Sequence, residues 1–109
     1  MTFTLPDSFA PKYQRDGSPR TLSRNTIKTY KSRLNKLASQ GFSTVDELLR
    51  QPQAVILAIN QLLPGMESPA LRQEKRIFFS AIFWVLPESY LQRENPYHKA
   101  FQGVRDWPQ

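Results

Sequence analysis

The chain contains no cysteine, which excludes disulfides and thiolate metal sites and permits a reducing compartment. A single histidine, His98, leaves a zinc site short of its usual ligands. The four glycines stand far apart, at positions 17, 41, 65 and 103, so there is no glycine-rich loop to cradle a phosphate. No apolar run approaches the roughly 18–20 residues of a membrane span. The opening Met1-Thr-Phe-Thr-Leu-Pro-Asp7 has neither the basic nor the apolar segment of a signal peptide. No pair of carboxylates stands apart from capping and surface acids. The expectations are no catalysis, no cofactor, no metal and no membrane partner. The protein is expected to be soluble and intracellular, cytoplasmic and nucleoid-associated in a prokaryotic setting.

One further absence is local. Between Ser23 and Thr44 there is no acidic residue. The net charge of +6 is gathered in and just before this stretch: residues 12–36 hold eight basic side chains against one acid, Asp16, while the other positions hold seven basic and eight acidic ones. A local surplus of this kind is the electrostatic footprint of a protein that meets a polyanion.

What is present in that stretch is one amphipathic helix. Ile27, Tyr30, Leu34, Leu37 and Ala38 recur with the spacing that buries one face of a 3.6-residue period. Ser23 is placed to cap its start and Gly41 to stop it. At about 100° per residue, Arg24, Lys28, Lys31 and Asn35 fall in a narrow arc beside the apolar stripe. Arg33 and Lys36 fall on the far side.

The rest of the chain, of 109 residues, reads as one small helical domain. Residues 1–21 form an arm interrupted by Pro6, Pro11 and Pro19, with a turn at Asp16-Gly17-Ser18-Pro19. Phe3, Leu5, Phe9 and Tyr13 are candidates to pin it, Arg15 and Arg20 to follow a phosphate backbone, and a mobile tail over 1–12 is the competing expectation. Ser43 or Thr44 caps a second helix, with Asp46 or Glu47 completing a capping box. Pro52 opens a third helix that buries Val55, Ile56, Ile59, Leu62 and Leu63 and ends at Pro64-Gly65. Ser68-Pro69 opens a long fourth helix to about Leu86, with Leu71, Phe78, Ala81, Ile82 and Val85 as its core stripe. Ile77, Phe79, Phe83 and Trp84 make its second half apolar almost all round. Asn95 to Phe101 adds a short last turn of helix. The expected fold is all-α, with four main helices and an extended arm. The boundaries are 1–21 for the arm, 22–101 for the helical domain and 102–109 for a tail or linker.

Two helices carry basic, hydrogen-bonding clusters in their N-terminal halves. These are Arg24, Asn25, Lys28 and Lys31 in the first, and Arg72, Gln73, Lys75 and Arg76 in the fourth. Such side chains reach phosphates and base edges in a major groove. The pattern points to double-stranded DNA straddled by two helices, with RNA or an acidic protein suiting the same face. The alternative is a protein-interaction domain that docks a partner or second copy on Phe79, Phe83 and Trp84.

The run Ser23-x-x-Thr26-x-x-x-Tyr30-x-x-x-Leu34-x-x-Leu37 followed by Gly41-Phe42 is similar to the opening helix of the core-binding domain of tyrosine recombinases, the SAM-like, phage-integrase type. A short helix, a third helix, a long fourth one and then Asn95-Pro96 continue the resemblance over roughly residues 20–98. It implies a four-helix orthogonal bundle that clamps one side of duplex DNA. By position it assigns contacts to Arg24, Thr26, Lys28 and Lys31, and to Arg72, Lys75 and Arg76; Arg20 and Asn25 join these as candidate DNA contacts from the reading of the basic residues. The arginine, the His-x-x-Arg and the nucleophilic tyrosine of that family belong to a second domain. Here His98 is followed by Lys99-Ala100-Phe101, and Tyr13, Tyr30, Tyr90 and Tyr97 lack the matching context. The resemblance therefore implies DNA binding without cutting or joining, and names a catalytic recombinase domain or a second copy as further partners.

Overall fold

In a computed structural model that describes residues 2–5 and 23–107, the first helix, α1, spans Arg24–Ser39. Ser23 caps it by accepting a hydrogen bond from the Thr26 N–H. It ends as a Schellman turn: the Gly41 N–H donates to Ala38 O and the Phe42 N–H to Leu37 O. Gly41 has φ +100°, a conformation that glycine adopts without the clash a Cβ brings. Phe42, just beyond it, is buried and closes the end of the helix.

Helix α2, Val45–Arg50, starts on Thr44, whose hydroxyl accepts from the Glu47 N–H. The Glu47 carboxylate turns to Arg50 and Gln51 instead of back to the cap, so the capping box is half made. Helix α3, Pro52–Leu62, carries proline in its first turn, and α4, Pro69–Val85, is capped by Ser68. Leu62, expected inside, is 40% exposed at the last position of α3, where the chain turns off through Pro64 and Gly65.

Six helices stand among the described residues instead of four. The short α5, Glu88–Leu91, and the ten-residue α6, Pro96–Arg105, complete the all-α bundle. Asn95 caps α6 through the His98 N–H. The helix runs past Phe101 because Tyr97, Ala100, Phe101 and Val104 keep the i, i+3, i+4, i+7 spacing of a buried face. Tyr97 and Val104 are buried, so residues 102–105 belong to the core-forming part of the chain and not to a tail.

Helix α4 packs between α1 and α6, which explains its nearly all-apolar second half. On the α1 side, the Tyr30 and Trp84 rings lie 5.8 Å apart. On the α6 side, Phe83 meets Phe101 at 5.6 Å and His98 at 5.0 Å, and Phe79 meets Phe101 edge-on.

Tyr97 links the far side of the bundle: fully buried, its hydroxyl donates to Leu48 O of α2 at 2.5 Å. Burial, and secondly the neighbouring Tyr90, push this phenol well above its ordinary value near 10. A raised folded-state pKa means that the fold holds the proton that the unfolded chain releases. Stability is therefore complete below pH 10 and falls as the pH climbs above it. Urea titrations at pH 8 and 11 should show that loss, and Tyr97→Phe should flatten it while lowering stability at pH 8 by about 1 kcal/mol.

The N-terminal segment is pinned, not free, over residues 2–5. The Phe3 N–H donates to Asn35 Oδ1 and the Thr4 N–H to Ser43 O, both at 2.8 Å, with Phe3 buried and Thr4 bridging Thr44 in parallel. The expectations on Phe9, Tyr13, Arg15, Arg20 and the turn at 16–19 lie outside the described residues.

Candidate nucleic-acid interface

α1 supplies an open cationic face. Arg24, Asn25, Lys28, Lys31 and Lys36 are all exposed. None of the four cations has a carboxylate within 4 Å among the described residues. Arg24, Lys28 and Lys31 fall within an arc of about 60° and span about 10 Å along the axis. A major groove is about 12 Å wide and admits one helix, so these three cations fit along its wall. Thr26 serves the helix cap instead. It is half-buried, and its hydroxyl and N–H both engage Ser23.

Arg33 is set apart from its basic neighbours. It forms a two-pronged pair with Glu74 of α4, Nε and Nη2 each 3.0 Å from a carboxylate oxygen. With Tyr30 it marks the flank of α1 that faces α4. The opposite flank faces the N-terminal segment, where Lys31, Leu34 and Asn35 line a shallow pocket of about 220 Å³ with Thr2, Phe3 and Leu5. Lys28 lies about 20° from Asn35 in helical phase, so the Arg24–Lys28–Lys31 arc belongs to this flank, turned away from α4.

The basic cluster of α4 does not join that face. Lys75, 3% exposed, donates from Nζ to Gly65 O at 2.7 Å and to Met66 Sδ at 3.5 Å. Arg72, 9% exposed, donates to Met66 O. Both cations hold down the loop between α3 and α4, and burial pushes the Lys75 ammonium below its ordinary value. The expected DNA contacts at Arg72 and Lys75 are thus replaced by loop anchors. Their heads are spent on backbone carbonyls under the loop, away from the exposed cations of α1. The sequence carried a signal for Lys75, which stands four residues after Leu71 and three and four before Phe78 and Phe79, inside the apolar stripe.

Arg76 is half-buried, and its guanidinium donates to the Gln73 side chain. It shares helical phase with Phe83, which faces α6, so it sits on the flank of α4 turned away from α1. The two expected clusters therefore occupy opposite flanks of the α1–α4 pair, with the Arg33–Glu74 pair in the seam between them. Arg20 lies outside the described residues. Lys36 is exposed and has no ion pair among the described residues, and it stands about 80–140° in helical phase from Arg24, Lys28 and Lys31, on the far side of α1 as its sequence position implies.

Among the described residues no cluster of three or more His, Cys, Asp or Glu is placed to hold a metal, and no helix is long and apolar enough to cross a membrane. No family model, no curated protein and no solved structure matches this chain.

Proposed function

We propose that the chain is a DNA-binding module that meets duplex DNA through α1 alone. Arg24, Lys28 and Lys31 supply the phosphate contacts, and Asn25 is the side chain near the N-terminus of α1 able to reach a base edge. The observation that carries this is a row of three exposed cations, Arg24, Lys28 and Lys31, with no acid among the described residues to neutralise them, on a helix with none in its sequence. Arg72 and Lys75 are committed to the α3–α4 loop, so a second helix does not share the contact. In this proposal the chain is a core-binding-type module of the tyrosine recombinase kind, non-catalytic by itself, that works with a catalytic domain or a second copy. The support is the helix order up to the Asn95-Pro96 cap of α6. The competing protein-docking face loses its footing: Phe79 is buried, and Phe83 and Trp84 pack on rings of α6 and α1.

Fluorescence anisotropy with a labelled duplex across a salt series is the test. Three phosphate contacts should give a slope of about −3 in log K against log salt. A slope near zero, or a duplex out-competed by an acidic protein at equal charge, removes DNA as the partner.

A further inference from the structure

On the side of α4 away from α1 lies a cleft of about 380 Å³ between α3, the loop after it, α4 and α6. That volume is within the range of about 300–1,000 Å³ typical of small-ligand sites. Its walls are mostly apolar, with Ile56, Phe79, Val104 and, at the rim, Trp107, which is 44% exposed, and Asn60 as the uncharged polar side chain among them. The one cation lining it among the described residues is Lys75. This ammonium and the adjacent Arg72 have uncharged acceptors, the carbonyls of Gly65 and Met66 and the Met66 sulfur. Glu67 lies beside Gly65 yet pairs with neither, and among the described residues no carboxylate comes within 4 Å of either head. Two buried positive charges without a negative one are an expensive arrangement that an anion in the cleft would relieve.

Gly103 is the second observation. It sits inside α6, where glycine destabilises a helix by about 1 kcal/mol relative to alanine. A Cβ at this position meets nothing within 4 Å, so packing does not call for glycine. Its effect is to leave one wall of the cleft bare.

We propose that this cleft binds a small apolar carboxylate, a medium-chain fatty acid or its like, with the carboxylate on Lys75 and the hydrocarbon tail along Phe79, Val104 and Trp107. The site is independent of the DNA face, since no α1 residue lines it. Hydrocarbon walls take up the tail, and the half-exposed indole covers it. The cationic head selects the charge of the ligand.

The test is a titration of the full chain with sodium octanoate, followed by amide and indole signals in ¹H–¹⁵N spectra, with octylamine as the control of equal tail and opposite charge. Octanoate should move the Gly103, Val104 and Trp107 signals saturably, and octylamine should not. Lys75→Met should weaken octanoate by at least about tenfold, the scale of one charge-assisted contact. Gly103→Leu, which fills the cleft where a side chain has room, should abolish binding with an unchanged or higher Tm. It keeps the proposal testable should Lys75→Met fail to fold. The proposal is overturned if octylamine moves the same signals with equal affinity, if either variant binds octanoate as the parent does, or if no saturable shift occurs.

Discussion

Lys75→Glu is expected to lower the stability of the fold by about 3–5 kcal/mol, the range for a buried charge left uncompensated. The lysine head donates to Gly65 O and Met66 Sδ and so fastens the α3–α4 loop onto α4. A carboxylate there can only accept, and it would confront the Gly65 carbonyl in a site almost closed to water. A domain of this size is stable by about 5–15 kcal/mol, so a large share of that margin goes. Lys75→Met should cost less, about 1–2 kcal/mol, because it keeps the hydrocarbon stem and loses only the donor. Urea unfolding curves of the three chains measure this directly. A glutamate variant within about 0.5 kcal/mol of the parent, the ordinary scatter of surface changes, would return Lys75 to the solvated surface.

The second large effect belongs to α1. Lys28→Glu with Lys31→Glu should weaken duplex binding about a hundredfold at low salt, since two released phosphate contacts become two repulsions. The fold should be untouched, because both side chains are exposed and neither is ion-paired among the described residues. Arg76→Glu should change affinity by no more than about threefold, since Arg76 shares the phase of Phe83 on the flank of α4 turned away from α1. The comparison separates one helix from two: if Arg76→Glu is as damaging as Lys28→Glu with Lys31→Glu, the duplex spans both helices and the single-helix interface is wrong.

These two outcomes share a cause. Lys28 and Lys75 are both lysines in the N-terminal halves of amphipathic helices, and their types alone treat them alike. Their helical phases differ. Lys28 stands to the side of the apolar stripe of α1, whereas Lys75 stands within that of α4. The same attention to phase recovers α6, whose Tyr97, Ala100, Phe101 and Val104 repeat at helical spacing. It does not recover the fate of Arg33, which depends on Glu74 standing across the seam. Nor does it reveal Phe3, whose anchor, Asn35, is 32 residues away.

The sequence alone determined that the chain is helical, where most of its helices begin, and which of them carries cations without acids. Ser23, Thr44, Ser68 and Asn95 each bond to a backbone N–H three residues on, and such contacts need only local chain. Tertiary structure decided which cations stay free, what covers the aromatic half of α4, and that a cleft is left beside Lys75. Periodicity fixes the direction of a side chain about its own axis. Whether that direction meets water, a carboxylate or a carbonyl depends on an element elsewhere in the chain, set there by burial of the shared core.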